Sequence, residues 1–215
     1  MKKETFAKGF NFYKLFWIFF IGCFLGVVIE TIWCLVTRFK FESRSGLIYG
    51  PFNLVYGFGA VFITVALYWL RNKRDLWIFL GGTILGGAFE YLCSYVQQAM
   101  FSTVSWEYSN MPFNLHGRIN LTYSFFWGIL ALLWVKEVYP RVSNLIEKIP
   151  AKIGKPLTYI LLLFMIFNSA ISAMAVNRQV ERRNNIEATS SVDVFLDKHY
   201  PDELLKKVYA NMIFK

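Results

Sequence analysis

The sequence predicts an all-α polytopic membrane protein of about five transmembrane helices, the first four forming a tandem (parallel) duplication of a two-helix unit. Three observations carry this. The 215 residues are 56% hydrophobic and only 17% charged, too apolar for an ordinary soluble domain of this size. Five apolar stretches approach the roughly 20 residues a helix needs to cross a bilayer. And the stretch GCFLGVVIE at 22–30 returns as GTILGGAFE at 82–90.

The expected spans are Lys14–Val36, Pro51–Leu70, Leu76–Val96, Ile119–Val135 and Leu157–Val176. The first is too long for a secretory signal, and no small-residue cleavage site follows it. Trp17, Trp33, Trp69, Trp77 and Trp134 lie toward segment ends, where indole rings favour the interface. Residues 1–137 are expected to form the duplicated core, with repeats at about 10–70 and 76–137. A basic loop at 138–156, the fifth span at 157–176 and an amphipathic tail at 177–215 follow. The tail reads as one or two short helices, with Pro201 early in the second.

The net charge of +9 excludes a nucleic-acid role through its distribution: basic residues mark loops and ends rather than one patch. Twelve lie before the first span and in the second–third and fourth–fifth connections, from Lys2, Lys3, Lys8 and Lys14 to Lys155. The opposite loops hold Arg38, Lys40, Arg44 and Arg118. The positive-inside rule then predicts a multi-pass protein of the cell membrane with a cytoplasmic N-terminus. Five spans send the tail outside, against the weak contrary signal of Arg178, Arg182 and Arg183. Cys23, Cys34 and Cys93 fall within spans as small apolar packing residues.

Aligning 22–36 with 82–96 matches Gly22/Gly82, Leu25/Leu85, Gly26/Gly86, Glu30/Glu90 and Val36/Val96, and PFNL recurs at 51–54 and 112–115. Each unit holds two spans, so both copies share one orientation, with a pseudo-two-fold along the membrane normal. Glycines at i and i+4 share a helix face with the glutamate at i+8 and let backbones approach closely. The glutamates therefore face the bundle, about 9 Å before the matched valines at 1.5 Å per residue. An acidic residue at mid-bilayer costs about 2.5–3.5 kcal/mol, so two at matched depth need partners or a purpose.

Glu30, Glu90 and His116 are the candidates for acid–base chemistry. Glu30, Glu90, Asn114, His116, Arg118, Asn120, Trp106 and Tyr108 are the candidates for substrate binding. Against these stand structural alternatives: a hydrogen-bonded glutamate pair, His116 on a backbone carbonyl, Arg118 at lipid headgroups, Asn53 and Asn114 as caps, and Trp106 and Tyr108 as interface anchors. On the PFNL alignment His116 and Arg118 fall opposite Val55 and Gly57, which makes the expected site asymmetric. Arg44 has two readings, a contact with Glu30 or Glu90 from outside and, the preferred one, surface charge. No P-loop, nucleophile-elbow or zincin motif occurs, and Glu30, Glu90 and His116 are too scattered in sequence to signal a metal. No cofactor is implied.

The segments FLGVVIETIW, GLIYGPFNLVYGFGA, GGAFEYLCSY, SWEYSNMPFNLHGRINLTYSFFWG and YANM resemble the ABC-transporter type IV, CmpB-like family of small bacterial membrane proteins, over nearly the whole chain. Its signature positions fall on Glu30, Gly50, Pro51, Gly57, Glu90, Trp106, Tyr108, Asn114, Gly117, Arg118 and Asn120. The resemblance implies a permease-like subunit of the bacterial inner membrane that binds or moves a small polar or amphiphilic substrate. Its partners would be membrane lipids and a separate ATPase subunit or a second copy of itself, with no nucleic acid. The alternatives are a membrane-embedded enzyme acting on a lipid or lipid-linked group, and a structural subunit.

Overall fold

The computed structural model describes residues 6–215, so Lys2 and Lys3 of the topology argument lie outside it. Its helices are α1 (Phe12–Arg38), α2 (Leu54–Leu67, continued by a 3-10 turn to Leu70), α3 (Asp75–Phe101), α4 (Leu121–Leu133), α5 (Tyr139–Glu147), α6 (Ala151–Arg183), α7 (Ser191–His199) and α8 (Asp202–Val208). Four of the described helical stretches are long and apolar enough to span a bilayer: Phe12–Arg38, Asp75–Phe101, Leu121–Glu147 and Ala151–Arg183. Leu54–Leu70 is apolar but shorter. Four two-residue strands complete the described fold: β1 (Thr103–Val104) pairs with β4 (Ile213–Phe214), and β2 (Asn114–Leu115) with β3 (Ile119–Asn120).

Small residues set the helix pairing. Gly22 of α1 lies against Ala60 and Gly57 of α2, and a Cβ on Gly26 would fall inside the Tyr56 ring. In the α3–α4 pair Gly82 meets Ala131 and Gly128, and a Cβ on Gly86 would collide with Trp127. Removing each side chain lets an aromatic ring from the neighbour lie on the helix backbone. Gly57 and Ala60 of α2 thus make against Gly22 the contacts that Gly128 and Ala131 of α4 make against Gly82. The PFNL alignment does not bring these contacts into line: it sets Gly57 opposite Arg118 rather than Gly128, because the second PFNL ends in β2 and the chain runs on through the turn and β3 before α4 begins.

The short α2 has a local cause. Asn53 N donates to the carbonyl of Cys23, 3.1 Å away, and Cys23 lies about 22 Å from the Arg38 end of α1. The connection 39–53 thus descends beside α1 before α2 begins, capped by the Asn53 side chain on Val55 N. Irregular backbone at that depth needs internal partners, and α6 supplies them. Asn168, fully buried, accepts from Tyr49 N (3.1 Å) and donates to Tyr49 O (2.7 Å), and Ser172 Oγ accepts from Ile48 N. The polar residues of α6 hold this loop.

The expected basic loop at 138–156 is corrected to helix. The chain passes from α4 through a π turn (Trp134–Val138) into α5, and α6 begins at Ala151 after Pro150. Pro140 has no N–H to continue the α ladder, which suits a widened turn there. The apolar run ends before the helix does, and the connection itself is only residues 148–150. Lys14 is likewise not a free loop charge: it is buried and pairs with Glu147 at 2.6 Å.

The tail packs on the end of the bundle opposite the N-terminal end of α1. Ile171, Ala175 and Val176 of α6 form one core cluster with Leu196, Tyr200, Leu205 and Tyr209. Arg178 makes a two-pronged contact with Asp197 (2.9 and 3.0 Å), and Arg182 reaches Asp197 and Asp202. Arg178, then Arg182, hold the Asp197 carboxyl down at about 2. These arginines are spent on internal pairs.

We expect Gly86→Leu and Gly26→Leu to destabilise the protein by at least the 1–3 kcal/mol typical of overpacking, read as a lower melting temperature in detergent. Leu92→Ala, on an exposed face, should change it little. Unaltered melting of both glycine variants would contradict the packing described.

Candidate functional site: a two-carboxylate cavity

Glu30 lies about 12 Å from the Arg38 end of α1 and faces α2. Tyr56 donates its hydroxyl to Glu30 Oε2 at 2.7 Å. Gly26, one turn earlier on α1, makes the space that the Tyr56 ring fills. Arg44, buried in the descending loop, places Nη1 3.8 Å from Glu30 Oε1. Its Nη2 contacts Cys34 Sγ (3.1 Å) and Glu42 (3.3 Å). The expectation that Arg44 is surface charge is therefore corrected: the loop turns inward and carries it against α1.

Glu90 is more deeply enclosed, 7% exposed. Tyr108 donates to its Oε1 and the Trp127 indole N–H to its Oε2, both at 3.0 Å. An indole can only donate, so Oε2 is an acceptor. Trp127 owes its position to Gly86 as Tyr56 owes its own to Gly26. Tyr108 is steadied by the Tyr123 ring, stacked at 4.8 Å.

Both carboxylates line one cavity of about 790 Å³ between the α1–α2 and α3–α4 pairs. Its wall is largely apolar and includes several aromatic rings, among them Trp33, Tyr56, Trp106, Tyr108, Phe126 and Trp127. Its far rim is formed by tail residues Ala210–Ile213 and by Glu107. The tail is fastened there by the β1–β4 pairing, by Asn211 donating to Ser105 O (2.9 Å), and by an ion pair of Lys215 with Glu107. Contact with Lys215, and secondarily with Ser109, holds the Glu107 carboxyl at about 2. The described residues contain no group of three or more His, Cys, Asp or Glu side chains placed to share a metal.

Of the sequence candidates, Glu30, Glu90, Trp106 and Tyr108 come together on this cavity, whereas Asn114, His116, Arg118 and Asn120 are absent from its wall. His116 and Gly117 take positive φ of 53° and 67° in the turn between β2 and β3, closed by Arg118 N donating to Leu115 O. A left-handed turn tolerates His better than most residues, and the exposed ring shares a hydrogen bond with Tyr91. Arg118 points to the side of α3 bearing Ser94 (3.2 Å) and Gln98 (2.7 Å), over the rings of Tyr91 and Tyr95. It does not pair with either glutamate. Asn114 ties the hairpin, donating to Met111 O and accepting from Gly117 N. Asn120 caps α4 and donates to Pro112 O at 2.6 Å. These four build the loop that presents Trp106 and Tyr108, and Trp106 itself donates to the Arg118 carbonyl.

Sequence reasoning missed Tyr56 and Trp127. The signal was present: each glycine four residues before a glutamate leaves a gap that a donor-bearing ring on the next helix can enter. Replacing Arg44 by Gln should destabilise the protein by about 1–3 kcal/mol, below the full cost of an unpaired buried charge because Glu30 is 26% exposed. Glu30→Gln in the same chain should recover part of that loss in a double-mutant cycle of melting curves. Simple additivity would mean that the two groups do not interact.

Residues 17–173 match the sequence model of the family described as "Putative ABC-transporter type IV". No curated protein and no solved structure matches the chain. With nearly three-quarters of its length covered by that match, the chain belongs to the ABC-transporter type IV family.

Proposed function

We propose that this chain is a multi-pass subunit of the cell membrane that binds, and in assembly moves, a small amphiphilic molecule in the cavity between its two helix pairs. The observation that carries this reading is the convergence of Glu30 and Glu90 on one largely apolar space of about 790 Å³. A largely apolar cavity with a few placed polar groups is the usual form of a small-molecule site, and ionisable residues inside a membrane bundle mark substrate paths by default. The matched contacts of Gly22 with Gly57 and Ala60, and of Gly82 with Gly128 and Ala131, support reading the two pairs as copies of one unit. The sequence has no nucleotide-binding loop, so energy coupling would fall to a separate ATPase subunit. A second copy of this chain is the other partner to consider. The N-terminus is assigned to the cytoplasm, the tail and the cavity rim to the outer side.

Cysteine labelling tests both the cavity and its side. In a background where Cys23, Cys34 and Cys93 are replaced by Ala, Ile29→Cys lies on the cavity wall and Ile84→Cys on an exposed face outside it. An impermeant thiol reagent applied to intact cells should label the first and spare the second, because thiolates form only where water reaches. Labelling of Ile29→Cys only in inverted vesicles would reverse the orientation. Failure from both sides would remove the aqueous cavity.

A further inference from the structure

We propose that the cavity selects an amphiphilic organic cation, with Glu90 as its counter-charge. This rests on the cavity-binding reading above and adds the charge of the ligand.

Four carboxylates line the cavity: Glu30, Glu42, Glu90 and Glu107. Three are already matched by cations of the chain. Glu30 faces Arg44, Glu42 pairs with Lys40 and Arg44, and Glu107 pairs with Lys215. Glu90 is the most enclosed of the four, and among the described residues it forms no ion pair. What it has is two hydrogen-bond donors, the Tyr108 hydroxyl and the Trp127 indole. Both hold the carboxylate with its oxygens as acceptors. Neither brings a positive charge.

An enclosed carboxylate is costly in low dielectric unless it takes up a proton or meets a cation, and the surrounding wall shows which cation would suit it. Trp127, Tyr108, Trp33, Phe126 and Tyr123 all border the same space. Aromatic faces attract cations through their quadrupoles, most strongly when water is excluded, and aromatic cages recognise ammonium groups in this way. Among the described residues no three His, Cys, Asp or Glu side chains lie together to share a metal ion. A large, weakly hydrated organic cation needs one counter-charge and several ring faces, and it has an apolar body suited to the remaining surface. Two cations also line the space: Arg44, spent on Glu30 and Glu42, and Arg38 at the end of α1. A lipophilic anion of equal size would find Arg38 alone outside the ion pairs of the described residues and would meet an unfavourable Glu90.

Tetraphenylphosphonium and tetraphenylborate have nearly the same shape and opposite charge, so together they isolate the charge term. Each would be tested for protection of Ile29→Cys against the impermeant thiol reagent, and for binding to the purified protein by equilibrium dialysis in dodecyl maltoside. The proposal expects the cation to bind and protect, with the anion at least tenfold weaker. Glu90→Gln retains an acceptor for Trp127 and should melt like the parent while losing at least tenfold in cation affinity. Glu30→Gln, whose carboxylate already has Arg44, should lose less. Equal protection by both ions, or cation binding unchanged in Glu90→Gln, would overturn the charge selection while leaving the cavity as an amphiphile site. Protection by neither ion at a residue that is still labelled would overturn the proposal, and the labelling itself would still report a water-filled cavity.

Discussion

Tyr56 donates to Glu30 and Trp127 to Glu90, and each ring reaches its carboxylate only because a glycine one turn away leaves it room. An acidic side chain inside an apolar bundle must find donors or leave the membrane. The helix that supplies the donor must come close enough to deliver it. Gly26 and Gly86 allow that approach, so α2 is fixed against α1 and α4 against α3 in the register that brings ring to carboxylate. The space left between the two pairs is the cavity.

This explains why the elements around the cavity are irregular. The 39–53 connection descends to the level of Cys23 and brings Arg44 to Glu30. Its backbone can lie there because Asn168 and Ser172 on α6 receive and return its hydrogen bonds. The 102–120 connection performs a related task for α3. Its hairpin, tied by Asn114 and turned at His116 and Gly117, presents Tyr108 to Glu90. The tail then lies across the rim, docked by apolar contacts with α6 and by the Arg178–Asp197 and Lys215–Glu107 pairs.

The all-α bundle and the two glutamates were legible because each leaves a local mark. Apolar runs of span length identify helices, and a glycine–glutamate face repeats at fixed spacing. The partners were not legible, since hydrogen bonds between α1 and α2 or between α3 and α4 depend on which residue of the facing helix meets the glycine. Polarity also misled in one direction. His116, Arg118 and Asn120 stand in a dense polar stretch, yet they are used to turn a hairpin, brace it on α3 and cap a helix. A loop entering an apolar bundle must satisfy its own backbone, and that demand imitates a binding motif. For Arg44 the structure takes the alternative reading, contact with Glu30, over the preferred one of surface charge, because nothing local reveals that its loop turns inward. The basic residues of 138–156 were read as a loop because charge ends an apolar run, although the helical backbone continues past it.

The central claim is that the Gly86 gap delivers the Trp127 indole to Glu90. Its most direct test is the indole N–H resonance of Trp127 in protein labelled with ¹⁵N-tryptophan, assigned by its disappearance in Trp127→Phe. The account predicts slow hydrogen exchange for this N–H and a clear shift of its resonance in both Glu90→Gln and Gly86→Ala, with exposed Trp77 unmoved. A Trp127 resonance that exchanges as fast as that of Trp77, and stays in place in both variants, would contradict it.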